Sequence, residues 1–333
     1  MSKTTVPTSS RLLVKICHAY YRDHLTMAEV GARFSLSRHK VSRMLQEAEE
    51  VGVVRIDIRS PPGQASNIER AVEAGLGVKT CVVAGVEPSL APDEIKRRTC
   101  AVGAEFLREI IQDNGAIGIG WGSTTFELVN QLESSNLPGA QVIQITGGNK
   151  RISHLFDCQE VTRRLAEKLG TTPLLLHAPG IVDRKETRDL LLRESSIADI
   201  FKLFPLLDMA IVGIGSLMPA EASMLLASGY IGVPEQAALK RAGAVGDVFS
   251  YFVNAAGDVV KTELYDRLIA IGVEDLMRIP TRIGVATGQI KAKAVVAAAR
   301  GGFVNTLILD SHLAGAVLAE IGSTLSSADL EVA

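Results

Sequence analysis

The chain has 333 residues, 35 Lys or Arg against 37 Asp or Glu, a net charge of −2, 47% apolar and 22% charged residues. This suits a folded protein of about two domains and excludes a disordered one. It holds no run of about 18 apolar residues, so no membrane span is expected, and MSKTTVPTSSR at the N-terminus lacks the apolar core of a signal peptide. The net charge hides an asymmetry. Residues 1–60 hold ten basic and six acidic side chains, and residues 61–333 hold 25 and 31. A small basic module joined to a larger acidic one is expected. Cys17, Cys81, Cys100 and Cys158 are scattered without CxxC spacing. That pattern predicts neither a metal site nor a disulfide framework, and it fits a reducing, cytoplasmic setting.

Arg11 to Tyr21 predicts a helix with Leu12, Leu13, Ile16, Ala19 and Tyr20 on one face. Thr26 is the expected N-cap of a second helix. Glu29 completes a capping box, and Ala28, Val30 and Phe34 turn inward. Ser37 caps a third helix whose apolar face is Val41, Met44, Leu45 and Ala48, with Gly52 at its end. Val53 to Arg59 alternates like a strand. Three helices, a tight turn and a strand make a winged helix-turn-helix. Its third helix projects side chains into the major groove of DNA. Ser37, Arg38, His39, Lys40, Ser42 and Arg43 are the candidate contacts to bases and phosphates, and Arg55 and Arg59 could add phosphate contacts from the wing. A solvated helix face would explain the charges alone. Spacing, wing and local charge together favour double-stranded DNA. Ser60-Pro61-Pro62-Gly63-Gln64 is the expected boundary between a DNA-binding domain over 1–60 and a second, larger domain over 61–333.

Beyond the boundary, helical and apolar β-branched stretches alternate. Helices are expected over 67–74, 93–112, 124–132, 156–169, 291–299 and 311–321. Strands are expected over 78–84, 116–120, 141–145, 174–177, 209–213, 281–286 and 306–309. The stripe Ile95, Val102, Phe106, Ile110 and Ile111 marks the longest helix. This alternation predicts an α/β fold with a parallel sheet and right-handed crossovers. Val248–Val253 resembles a hairpin arm turning at Asn254-Ala255-Ala256-Gly257.

In open parallel sheets the ligand sits at the carboxyl ends of strands. Gly118-Ile119-Gly120-Trp121-Gly122-Ser123-Thr124-Thr125 follows a strand and opens a helix, where free amides and hydroxyls favour an anion such as phosphate. Its spacing is neither GxGxxG nor a P-loop. Thr146-Gly147-Gly148, Gly213-Ile214-Gly215-Ser216, Gly246-Asp247 and Gly288-Gln289-Ile290-Lys291 also sit at such loops. Asp247 is suited to accept from sugar hydroxyls, Lys291 to neutralise an anion, and Arg267 to clamp a phosphate or carboxylate. Each could also be a plain turn or surface ion pair. His154 and His177 have no partner at a metal-ligand spacing. Trp121 could stack on a ligand or pack. No cofactor, metal or catalytic residue is expected.

Taken in order, the Leu25–Met44 helix-turn-helix, Gly120-Trp121-Gly122-Ser123-Thr124, Gln144-Ile145-Thr146-Gly147-Gly148, Gly213-Ile214-Gly215 and Gly243-Ala244-Val245-Gly246-Asp247 form a pattern. Arg267–Ile271, Gly288–Ala292 and Asn305–Asp310 extend it. Over almost its whole length the chain resembles the SorC family of bacterial transcriptional regulators, the DeoR-like sugar-binding-domain regulators. The resemblance implies a Rossmann-like effector domain akin to ribose-5-phosphate isomerase and glucosamine-6-phosphate deaminase. It implies a sugar, polyol or sugar-phosphate effector, a homodimer or homotetramer, and control of a carbohydrate operon. By position, Gly120, Trp121, Gly122, Ser123, Thr124, Thr125 and Lys291 resemble the phosphate-side contacts; Gly147, Gly148, Asp247 and Arg267 fall at effector-facing positions. The family often has Lys or Arg where this chain has Ser123, and a second glycine where it has Thr287. The rival reading is a sugar-phosphate isomerase or deaminase. That chemistry needs a positioned acid/base pair, which Asp247 alone does not make.

Overall fold

The computed structural model describes residues 10–54, 66–149, 156–217, 223–227, 229 and 231–322. Backbone contacts divide the chain into two compact units, Met1–Arg59 and Ser60–Ala333.

The first unit opens with α1 (Ser10–Cys17), continued by a π-helical turn over His18–Arg22. α2 (Met27–Phe34) and α3 (Arg38–Glu50) follow. The expected capping box is present: Thr26 Oγ1 accepts from Glu29 N, and Glu29 Oε2 accepts from Thr26 N. Ser37 Oγ accepts from Lys40 N at 3.2 Å and starts α3. The turn between α2 and α3 is tight because Gly31 has no side chain; a Cβ there would stand 2.6 Å from the Leu36 carbonyl oxygen. Leu13, Ile16, Ala19, Val30, Val41, Met44, Leu45 and Ala48 form the core. Two expectations are corrected. Leu12 is 40% exposed, because Leu13 and Ile16 already define the buried face of α1. Ala28 is exposed too, because the inward face of α2 runs through Met27, Val30, Gly31 and Phe34 at spacings of three and four. Of the expected wing strand Val53–Arg59, Val53 and Val54 form a bend, and Arg55 onward, like the Ser60–Gln64 boundary, lies outside the described residues.

In the second unit α4 (Ser66–Leu76) precedes β1 (Thr80–Ala84), α5 (Pro92–Ile110) precedes β2 (Ala116–Ile119), and α6 (Ser123–Gln131) precedes β3 (Gln141–Gln144). α7 (Cys158–Leu169) leads to β4 (Pro173–Leu174). α8 (Lys185–Leu191) and α9 (Ser195–Phe201), not foreseen from the periodicity, lead to β5 (Met209–Ser216). Then come α10 (Met224–Ala227), α11 (Val233–Arg241), β6 (Ala244–Val248), β7 (Tyr251–Asn254) and α12 (Val273–Arg278). The unit closes with β8 (Thr281–Ala286), α13 (Ala292–Arg300), β9 (Thr306–Asp310) and α14 (Ser311–Glu320).

Seven strands pair in the order β1-β9-β8-β5-β2-β3-β4, all parallel. β5 extends beyond the sheet and carries the antiparallel hairpin β6–β7. The apolar strands are buried on both faces, as parallel sheets require. From β2 the chain moves outward through β3 and β4, then returns to β5 on the other side of β2. That reversal opens a crevice beyond the carboxyl ends of β2 and β5, where doubly wound folds bind ligands.

Two further expectations are corrected. The stripe Ile95, Val102, Phe106 and Ile110 is only half-buried, although Ile111 is buried; α5 instead buries Thr99, Cys100, Gly103, Ala104 and Leu107. A Cβ on Gly103 would stand 2.8 Å from Ile308 Cγ2, so small residues let α5 lie close to the sheet and leave the bulky stripe outside. The expected turn at Asn254–Gly257 is present and bridges Val253 to Val259, but the stretch before it is not one arm. β6 and β7 join through Phe249-Ser250, and Asn254–Asp258 is a second turn closed by Asn254 Oδ1, which accepts from Ala256 N and Asp258 N. All four cysteines are buried and free.

Candidate effector crevice and recognition helix

The crevice holds a cavity of about 60 Å³. One wall is the end of β2 with the start of α6: Gly120, Trp121, Gly122, Ser123 and Thr124. The facing wall is β5, Val212 to Gly215. Asp247, Phe249 and Ser250 of the hairpin close one side; Thr146 and Lys291 also line it.

Asp247 pairs across the sheet with Gly215 and is buried. Its Oδ1 accepts from the Ser223 hydroxyl at 2.7 Å. Burial pushes its pKa up, against the downward pull of that hydrogen bond and of the Lys291 charge. Lys291 ends the 3₁₀ turn Gln289–Lys291. Burial lowers its pKa, and Asp247 partly offsets this. The turn is fastened by Asp310. Oδ2 accepts from Gly288 N and Oδ1 from Leu313 N, both at 2.8 Å, so the buried carboxylate that caps α14 also sets the loop carrying Lys291.

The hairpin turn is strained. Phe249 and Ser250 have φ of +53° and +68°, the left-handed conformation that two-residue hairpins require and that a bulky side chain rarely adopts. The turn aims both residues at the crevice, and Trp121 Nε1 donates to Ser250 Oγ at 3.4 Å. Trp121 also packs on the apolar cluster around Leu225, Ile231 and Phe252 while lining the crevice.

Of the expected effector contacts, the structure brings Gly120, Trp121, Gly122, Ser123, Thr124, Asp247 and Lys291 together. Four lie elsewhere. The buried Thr125 donates its hydroxyl to the Gly122 carbonyl at 2.9 Å inside the start of α6. Gly147 and Gly148 hydrogen-bond with the backbone of Ile269 and Ala178, packing the end of β3 against those segments. Arg267 pairs with Glu235 and donates to the Val182 carbonyl. The carboxylate that occupies it comes from a distant helix, invisible in the local sequence. His177 is exposed and lines no part of the crevice; His154 lies outside the described residues. Sequence reasoning marked the Thr146 loop but singled out its glycines, and it missed Phe249 and Ser250. Thr146 adjoins the glycines that drew attention, whereas nothing in Phe-Ser signals a left-handed turn.

On α3, Ser37, Arg38, His39, Lys40, Ser42 and Arg43 are all exposed, while Val41, Met44 and Leu45 are buried. The helix thus fixes itself by one face and leaves the other to solvent. The Ser37 hydroxyl is already engaged as the cap.

Residues 60–319 match the family described as "Putative sugar-binding domain". The chain is also 31% identical over 316 residues to the transcriptional regulator LsrR of Klebsiella pneumoniae subsp. pneumoniae, covering 92% of this chain and 93% of that protein. It belongs to the SorC family of sugar-binding transcriptional regulators. Within this SorC family it is 27% identical over 312 residues to the deoxyribonucleoside regulator of Bacillus subtilis, covering 93% and 98% of the two chains. Its fold matches the full-length sorbitol operon regulator SorC from Klebsiella pneumoniae with a TM-score of 0.72 at 24% identity, over 94% of this chain and 100% of that one. A DeoR family transcriptional regulator from Listeria monocytogenes matches with a TM-score of 0.71 at 26% identity, over 76% and 99%.

Proposed function

We propose that this SorC-family chain is a ligand-switched DNA-binding regulator of carbohydrate use. α3 reads double-stranded DNA through Arg38, His39, Lys40, Ser42 and Arg43. The crevice between β2 and β5 binds a sugar, polyol or sugar phosphate. Ser123, Thr124 and Lys291 face its anionic end, and Asp247, Ser250 and Thr146 face its hydroxyls. The 1–60 and 61–333 segments are the DNA-binding and effector domains. The observation that carries the reading is the pairing, in one crevice, of a buried hydroxyl acceptor (Asp247) with a cation beside a helix start (Lys291).

The relatives named for transcriptional regulation favour this reading over an isomerase or deaminase. Among the crevice's described lining residues Asp247 is the one carboxylate, and neither histidine nor cysteine joins it. An acid/base pair would need a second such group. No helix among the described residues is long and apolar enough to cross a membrane. A balance of only four positive charges on residues 1–60 gives one copy weak electrostatic attraction for DNA. The reading therefore includes a homo-oligomer, whose two-fold symmetry would match pseudo-palindromic half-sites and whose avidity would supply the remaining affinity.

The test is a thermal-shift screen of the full chain against sugars, polyols and their phosphates. A true effector at a hundredfold excess over its Kd stabilises by about 2.7 kcal/mol. Removal of residues 1–60 is expected to abolish DNA binding and keep that stabilisation. DNA binding by the truncated chain would overturn the assignment.

A further inference from the structure

β1 ends the sheet, beside β9. An edge strand leaves the amides on its outer side without strand partners. Here α4 supplies the acceptors: Glu73 Oε1 accepts from Cys81 N at 2.8 Å, and Glu69 Oε1 accepts from Val83 N at 2.9 Å. The spacings match, since four helical residues rise about 6 Å and two strand residues about 6.6 Å. Two half-buried carboxylates on successive turns thus stand in for a neighbouring strand. Burial and the Glu73 charge push the Glu69 pKa up, against the pull of the Val83 amide. The latch therefore rests on two hydrogen bonds made by like charges, a hold that a bound ligand can alter.

α4 also buries Ile68 and Val72 in one apolar cluster with Leu313, Ala314 and Val317 of α14. α14 is in turn fastened to the crevice. It starts beside Asp310, whose carboxylate accepts from Gly288 N in the loop of Lys291. Ser311 Oγ accepts from Val86 N at 3.2 Å and joins α14 to the chain just past β1. In the sequence, α4 is the first described element after the first unit ends at Arg59. One continuous packing path therefore runs from the Lys291 loop through Asp310 and α14 to the helix that follows the first unit.

We propose that α4 is the output element of the second unit: Glu69 and Glu73 are positioning residues that hold it on the edge of β1, and Asp310 with α14 makes its placement depend on the Lys291 loop. This rests on the reading of the crevice as the effector site and adds the route by which a filled crevice reaches the chain leading back to residues 1–59. A ligand that holds the Lys291 loop differently in two placements of α4 shifts their populations by that difference in affinity.

The test measures, by fluorescence anisotropy, the affinity of the full chain for a DNA duplex that wild type selects from a random pool. The probes are sorbitol, ribose, sorbitol-6-phosphate and ribose-5-phosphate, and the fluorescence of Trp121, the single tryptophan, follows their binding. In wild type a bound probe is expected to change DNA affinity about fivefold or more. The double variant Glu69→Ala, Glu73→Ala is expected to bind the same probe within about twofold of wild type, because the crevice is a separate site, yet to lose the change in DNA affinity. Glu69→Gln with Glu73→Gln keeps the acceptor oxygens and is expected to restore it. A full change in DNA affinity in the alanine variant would overturn the role of α4 and leave the crevice reading intact. Hydrogen exchange of wild type decides the matter should the alanine variant unfold. The bound probe is expected to alter exchange at the Cys81 and Val83 amides about tenfold, and unaltered exchange would overturn the inference. A probe that fills the crevice without changing DNA affinity would overturn the switch, and binding of none of the probes would overturn the crevice reading; either result takes this inference with it.

Discussion

The carboxylate of Asp247 lies flat against the backbone of Gly215: a Cβ on Gly215 would stand 2.2 Å from Oδ1 and 2.9 Å from Cγ. Gly215 is therefore the seat of the crevice's hydroxyl acceptor, held there by the antiparallel register between β5 and β6. Gly215→Ala is expected to displace Asp247, break its bond to Ser223 and weaken effector binding at least about tenfold. It is also expected to destabilise the chain by about 1–3 kcal/mol, the usual cost of an overpacked interior. Thermal unfolding with and without effector measures both. Unchanged effector affinity would show that Asp247 is not a contact.

Asp247 is buried and Lys291 half-buried, and each carries a charge that the other offsets. Removing one partner leaves the other uncompensated, so the destabilisations by Asp247→Asn and Lys291→Met are expected to sum to more than that of the double variant. A double-mutant cycle on thermal unfolding is expected to return a coupling of about 1 kcal/mol. A coupling of zero would mean that solvent already screens the pair.

The raised pKa of Asp247 has a signed consequence for pH. A carboxyl whose folded pKa exceeds its unfolded value takes up a proton on folding between those two values, so its contribution to stability grows as pH falls through the folded pKa. The stability of wild type relative to Asp247→Asn is therefore expected to rise as pH is lowered from 7.5 toward the carboxylate range. Effector affinity is expected to fall over the same interval, because the protonated carboxyl loses acceptor capacity. A pH series of thermal unfolding on the two proteins checks this; a pH-independent difference would contradict it.

On the DNA side, Arg38 and Arg43 are exposed on the solvent face of α3, opposite Val41, Met44 and Leu45. Arg43→Ala and Arg38→Ala are each expected to weaken DNA binding by about 1–3 kcal/mol if they reach a base edge. If they reach a phosphate, the salt slope should drop by about one instead. Neither is expected to change the unfolding temperature by more than a degree or two. Gly31→Ala is expected to do the opposite, costing stability in the turn while leaving the contact residues in place.

The first unit was the most legible part of the sequence, because its signals are local. The Thr26–Glu29 capping box, the Ser37 cap and the Val41–Ala48 face all operate within a turn or two. The crevice was half legible. Glycine-rich loops after strands marked β2, β5 and the Lys291 turn, since parallel topology brings such loops to one end of the sheet. Arg267 misled because its partner Glu235 lies 32 positions away, and Gly147 because backbone packing uses glycine as readily as ligand binding does. Phe249-Ser250 carries no turn signature; tertiary contacts hold it in a conformation its residues disfavour. In α5 the packing logic was inverted, with Gly103 and Ala104 rather than the large residues meeting the sheet.

The central claim is that a sugar-type effector in the crevice changes the affinity of α3 for DNA. The most direct test follows fluorescence anisotropy of a DNA duplex selected by the full chain from a random pool. The titration is repeated at saturating concentration of the compound that the thermal screen identifies, with the single tryptophan, Trp121, reporting its occupancy. The account predicts a change in DNA affinity of about fivefold or more, in either direction, that Lys291→Met abolishes. An unchanged DNA affinity while Trp121 reports a filled crevice would contradict it.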